Sequence, residues 1–155
     1  TIAAILGIDV TAQSTTPEFV PGSLGAVTDS NGTKIYKYLK YDDASAAVDG
    51  VAGEVAYYHT LDGYKNHTCT SDLSDSVEIG AGVIQANIAT ETYGWFQIKG
   101  AATLTIALTA GADGDPLTPT GAADGTLDVS SAATDNVCAI AGDISDKEII
   151  CDFPF

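Results

Sequence analysis

The sequence predicts an all-β chain: one sandwich or barrel-like domain of short antiparallel strands, preceded by an extended N-terminal arm. Three observations carry that prediction. No long apolar repeat of helical period runs through the chain. Short β-branched and aromatic runs recur with a turn signal about every 8–12 residues. Glycine, aspartate and proline crowd the stretches Gly111 to Pro116 and Gly121 to Gly125 between those runs, where turns select them. A chain of 155 residues suits one domain with a real core and leaves little room for a second.

Residues 1–22 form the expected arm. Ile2 to Val10 is a short apolar segment, Thr11 to Thr16 is polar, and Pro17 and Pro21 oppose both helix and central strand. The domain is expected over 23–155. Leu24 to Thr28, Asp29-Ser30-Asn31-Gly32 and Thr33 to Tyr41 have the form of a β-hairpin, because Asn-Gly supplies the positive φ that a tight turn requires. Within its second strand Ile35, Leu39 and Tyr41 alternate with Lys34, Tyr36, Tyr38 and Lys40, the pattern of a half-exposed strand, and Lys37 breaks the apolar face. Asp42 to Ala47 has modest helical character. Strands are expected at Glu54 to Thr60, His67 to Ser71, Gly80 to Ala89, Tyr93 to Lys99, Ala102 to Thr109, Leu127 to Val129, Asn136 to Ala141 and Glu148 to Phe153. Leu61 to Tyr64 reads as a turn, Gly111 to Pro116 and Gly121 to Gly125 as loops, and Gly100 as a break between two strands.

Composition narrows the function classes. With 45% hydrophobic and 17% charged residues the chain has too much apolar content and too little charge for a disordered segment. All six basic residues are lysines, at 34, 37, 40, 65, 99 and 147, so no arginine fork is available for phosphate or guanine, and nucleic acid is not an expected partner. A net charge of -15 repels polyanions and anionic membranes and favours partners with basic patches. No apolar run approaches the roughly 20 residues of a membrane helix, and Thr1 to Val10 lacks the basic flank of a leader, so a soluble protein without a membrane partner is expected. Cys69, Cys138 and Cys151 are odd in number and read as buried thiols.

Candidate chemistry is sparse. His67-Thr68-Cys69 puts two metal-ligating types on one strand face, with His59 as a third, but at no zinc-motif spacing. Asp113-Gly114-Asp115 and Asp124-Gly125 offer oxygens to calcium without the acids of a full loop, and turn residues explain them as well. Gly80-Ala81-Gly82-Val83 lacks the third glycine and the helix of a dinucleotide fingerprint. No nucleophile elbow or P-loop occurs, and no catalytic residue, metal or cofactor is expected. Asn31-Gly32-Thr33 and Asn66-His67-Thr68 are formal glycosylation acceptors, relevant only to a eukaryotic secreted chain. Tyr36, Tyr38, Tyr41, Tyr57 and Tyr58 either pack a sheet or line a sugar site, so a secreted carbohydrate-binding or adhesin module is the alternative reading.

Three stretches together resemble the head decoration, or cement, proteins of tailed phages, over most of residues 20–153. The first is Pro21-Gly22-Ser23-Leu24 through Asn31-Gly32-Thr33-Lys34-Ile35-Tyr36-Lys37-Tyr38, like the family's opening hairpin with its tyrosine-containing strand. The second, and most specific, is Gly82-Val83-Ile84 through Thr92-Tyr93-Gly94-Trp95-Phe96-Gln97-Ile98-Lys99-Gly100, which is similar to its Tyr-Gly-aromatic-aromatic-Gln strand. The third is Gly114-Asp115-Pro116-Leu117, Gly121 to Gly125 and Val137-Cys138-Ala139-Ile140-Ala141. The arm at 1–20 and an insertion at Lys65 to Asp75 depart from commoner members.

That resemblance implies a non-enzymatic protein made in a host cytoplasm and carried on the outer surface of a virion. Its implied partners are the major capsid protein and two sister copies in a homotrimer. Residues expected to touch the capsid are Ile2, Ile5, Leu6, Ile8, Val10 and Phe19 of the arm, whose apolar side chains lack an obvious home in a hairpin-built core. Tyr93, Trp95 and Phe96 are expected either at the trimer contact or in the core of the aromatic strand.

Overall fold

A computed structural model describes residues 4–43 and 48–155. β1 (Ala4–Leu6) lies parallel to β2 (Leu24–Asp29), and β2 turns through Ser30 and Asn31 into β3 (Gly32–Tyr41). The Asp29 carboxylate accepts the Asn31 N–H at 2.7 Å, and Gly32 holds the positive φ of +103° that lets the chain reverse there. The expected hairpin is therefore present.

β4 (Val55–His59), the single helical turn α1 (Gly63–Asn66), β5 (Thr68–Thr70), β6 (Ser76–Ile84) and β7 (Thr92–Thr103) follow. β3 uses one edge for β2 and then β5, and the other edge for β7, from Ile35↔Lys99 to Tyr41↔Thr92. Because β5 pairs with β4, β4 with β6 and β6 with β7, the order β3-β5-β4-β6-β7 returns on itself and closes a barrel. Closure leaves these strands no free edge over the paired lengths. Leu39, Tyr41, Ala56, Tyr58, Cys69, Ala81, Ile84 and Phe96, drawn from all of its strands, form one buried cluster with Ile88.

The chain then extends the wall of this barrel outward. β8 (Pro116–Thr118), β9 (Asp128–Val129), β10 (Ala139–Asp143) and β11 (Glu148–Asp152) add to β7 in the order β11-β10-β8-β9. Their inner face packs on Val55, Tyr57, Val83 and Ile98 of the barrel wall, burying Leu117, Leu127, Ala139, Ile149 and Phe153 in a second core. Each fully buried Leu, Ile or Phe there contributes about 1.5–3 kcal/mol relative to exposure.

Several sequence expectations are revised by this packing. β7 passes straight through Gly100, because the ladder to β11 continues across Cys151↔Gly100 and outweighs the local signal of a glycine. Gly100 bends the strand with φ +96°, where a Cβ would sit 3.1 Å from the Thr33 carbonyl oxygen. The strand expected over Ala102 to Thr109 is thus the end of β7, finishing at Thr103. β6 begins at Ser76 and ends at Ile84 instead of running from Gly80 to Ala89, and the bare Gly80 makes room for the Phe153 ring. Residues 44–47 of the modestly helical stretch lie outside the described residues. β3 is not half-exposed: Tyr36 and Tyr38 on its second face are buried at 4% and 2% exposure.

That second face is covered by residues 8–22. Ile8, Val10 and Phe19 pack on Tyr36, Tyr38 and Trp95, while Ser14 exchanges backbone hydrogen bonds with Tyr93. The Glu18 N–H donates to the Tyr38 hydroxyl and the Gly22 N–H to the Tyr38 carbonyl. Prolines 17 and 21 break strand structure as expected, but the described part of the segment is laid along the barrel.

Candidate interaction surface

Several residues singled out from the sequence converge. Phe19 meets the Trp95 ring at 5.2 Å and the Tyr38 ring at 5.4 Å, and Tyr38 meets Trp95 at 5.1 Å and Tyr93 at 6.0 Å. Arm and aromatic strand thereby form one cluster on the outside of the barrel, joined by Ile8 and Val10. Phe96 does not belong to it, because strand alternation turns its side chain to the barrel interior. Ile5 and Leu6 lie in β1, paired in register with Gly25 and Ala26, and Ile2 lies outside the described residues. Tyr36, Tyr38, Tyr41, Tyr57 and Tyr58 are all buried, so none presents an open ring face to a sugar.

Metal-ligating types do not assemble as the sequence spacing allowed. His59, His67 and Cys69 form no cluster of ligand atoms among the described residues. Asp113 accepts the Ile144 N–H, Asp115 the Ala112 N–H and Asp124 the Leu73 N–H, so each fastens a loop. Carboxylate oxygens of Asp43, Asp72 and Asp75 come within 4.8 Å of one another. Asp43 accepts the Val48 N–H there, and Asp72 caps a short 3-10 turn through the Ser74 N–H, so both carboxylates already secure backbone.

One ammonium group lies inside the barrel among aromatic rings. Lys37 is 3% exposed, donates from Nζ to the Tyr58 hydroxyl at 2.9 Å, and lies 5.3 Å from the Tyr58 ring and 4.8 Å from the Tyr64 ring. Burial pushes its pKa from 10.5 down to about 8, only partly opposed by the field of Cys69. His67 is likewise held below the usual imidazole range, first by burial and then by Lys37, and its Nδ1 is buried without a hydrogen-bond partner. Tyr64, on the single turn α1, is half exposed, meets the Tyr58 ring edge-on at 5.1 Å and donates its hydroxyl to the Phe155 carbonyl at 2.7 Å.

The polar hollow of about 570 Å³ beside Lys34, Gln85 and Gln97 offers little free chemistry. Gln97 Nε2 donates to the Lys99 and Ala101 carbonyls, Gln85 Nε2 to the Val83 carbonyl, and Lys34 pairs with Asp29 at 3.5 Å. These side chains satisfy backbone groups where strands end.

The solvent face of the C-terminal sheet is different. Pro116 pairs with Ile140, Ile140 with Ile150, and Ile150 with Ala101, so four apolar or small residues stand side by side across β8, β10, β11 and β7. Ile140 is 44% and Ile150 51% exposed. Acidic side chains flank the row: Glu148 and Asp152 are exposed on either side of Ile150 along β11. Sequence reasoning placed β11 but missed this row. The signal was Ile149-Ile150, since adjacent residues on a strand face opposite ways and only one of the two can enter the core. No family model, curated protein or solved structure matches this chain.

Proposed function

We propose that this chain is a non-enzymatic decoration, or cement, protein of a tailed-phage head. It binds the outer surface of the shell, bridges neighbouring copies of the major capsid protein, and does so as a homotrimer. The observation that carries this reading is the apolar row Pro116-Ile140-Ile150-Ala101 on the open face of the C-terminal sheet. Exposed isoleucines placed directly opposite one another on a sheet cost solubility, and adhesion to another protein is the usual compensation.

The rest of the molecule is consistent with such a role. A closed barrel gives the sheet a rigid backing, and a charge of -15 keeps the outward surface from binding packaged nucleic acid. A trimer touching several capsomers multiplies modest contacts, and avidity from linked sites can exceed a single affinity by about 10²–10⁴. The resemblance of Tyr93 to Gly100 to a decoration-protein strand points the same way. Mixing the purified protein with expanded heads that lack it, followed by sedimentation, tests the reading. Co-sedimentation at saturable stoichiometry is expected, and a protein left wholly in the supernatant refutes it.

A further inference from the structure

Next to the apolar row along β11 and β7 stands the Lys99–Asp152 ion pair, and at that pair opens a pocket of about 360 Å³. Cys138 and Phe153 line it as buried side chains, and Val137 and Phe155 stand beside them at 51% and 54% exposure. Gly80 contributes to its wall, where a Cβ would collide with Phe153 at 2.6 Å and with the Cys138 Sγ at 2.9 Å. Lys99 sits at the rim with its Nζ 2.5 Å from the Asp152 carboxylate and 4.6 Å from the Phe155 ring. Asp152 belongs to the same strand face as Ile150, so row and pocket form one continuous surface.

We infer that this pocket is an anchor site for one aromatic or aliphatic side chain of a partner protein, presented between lysine or arginine residues. The pocket is large enough for a single large side chain, with Val137, Phe153 and Phe155 on its apolar side and Lys99, Asn136 and Asp152 on its polar side, and side chains seated in such pockets dominate protein association. The surroundings specify the flanks. Asp152 is 78% exposed, so its single bond to Lys99 leaves much of the carboxylate open to a second cation, and the exposed Glu78 of β6 accepts at its carbonyl from Asn136 of the pocket lining. A second copy of the chain would add a molecule of net charge -15 to one of the same charge, which argues for an occupant of opposite overall charge. This inference rests on the decoration reading for the identity of the partner, the capsid shell, but not for the chemistry of the pocket.

Two experiments separate the claims. In the first, the blocked peptide acetyl-Lys-Phe-Lys-amide is titrated into isotope-labelled protein and backbone amide shifts are followed. Shifts centred on Val137, Cys138, Phe153 and Phe155 are expected, with at least tenfold weaker responses to acetyl-Lys-Ser-Lys-amide and acetyl-Glu-Phe-Glu-amide. Equal responses to the three peptides, or shifts located elsewhere, overturn the anchor site. In the second, the Val137→Asp variant, first shown to unfold at the wild-type temperature, is compared with wild type for binding to protein-depleted heads. A loss of at least tenfold is expected. Equal binding by the two proteins overturns the anchor, whereas failure of both to bind overturns the decoration reading and leaves the peptide result to decide the pocket. Sedimentation of the protein alone adds one further outcome: self-association abolished by Val137→Asp would overturn the opposite-charge occupant in favour of a second copy.

Discussion

Replacing Lys37 should make the protein more stable at neutral pH and less so, relative to wild type, at alkaline pH. The side chain is 3% exposed, and burial lowers its pKa from 10.5 to about 8. The folded state therefore binds the proton more weakly than the unfolded chain does, and between those two values the unfolded chain carries more protons. The penalty is complete below pH 8 and disappears as pH rises past 10.5. At 1.36 kcal/mol for each tenfold change in proton affinity, holding the ammonium inside the barrel costs about 3 kcal/mol at pH 7 and about 1 kcal/mol at pH 9.5. Lys37→Met alone strands the Tyr58 hydroxyl, a loss of about 1–3 kcal/mol, so the informative variant is Lys37→Met with Tyr58→Phe.

Urea denaturation followed by Trp95 fluorescence measures both proteins across pH 7 to 9.5. The double variant should lead wild type at pH 7, and its lead should shrink by about 2 kcal/mol by pH 9.5. The comparison must be a difference, because Cys138, Cys151, Tyr41 and Tyr57 have raised pKa values in the fold. Those groups ionise first in the unfolded chain and remove stability from both proteins equally as pH rises. Parallel stability curves for the two proteins would refute the reasoning, showing that Lys37 ionises in the fold as freely as in solution.

Other expectations follow from the packing. Burial raises the Cys151 thiol to about 12 and moves Cys69 and Cys138 up as well, so none should react with a thiol reagent at pH 8 in the native state, and all three should react in denaturant. Phe19→Ala should cost about 2 kcal/mol in urea denaturation and alter the Trp95 emission, because the ring lies 5.2 Å from the indole and covers Tyr38. Ile150→Lys, at a half-exposed position, should change stability by no more than about 0.5 kcal/mol while weakening head binding at least tenfold, read by sedimentation. Gly80→Ala should destabilise by about 1–3 kcal/mol in the same denaturation assay, since its Cβ would strike the Phe153 ring.

What the sequence disclosed is what local chemistry controls. The Asp29-to-Gly32 turn and both hairpin strands were legible, because turn residues act over four positions and alternation acts over two. Lys37 was visible as the flaw in an apolar face, and the structure places it on that face, inside the barrel. Less legible was everything that depends on distant partners. Tyr36 and Tyr38 read as exposed because nothing local reveals that Ile8, Val10 and Phe19 return to cover them. Gly100 read as a break because its ladder to Cys151 spans half a hundred residues of intervening chain. The exposed row on the C-terminal sheet was hidden for the same reason: Pro116, Ile140, Ile150 and Ala101 become neighbours only once the strand order is known.

β7 belongs to two bodies at once, hydrogen-bonded along one edge to β3 and along the other to β6 and then β11. Any tug applied at Ile140 or Ile150 is relayed through β11 into that shared strand, and from there into the whole barrel. A load on the row is therefore carried by ladders on both edges of β7 and not by a strand hanging alone at the rim of a sheet.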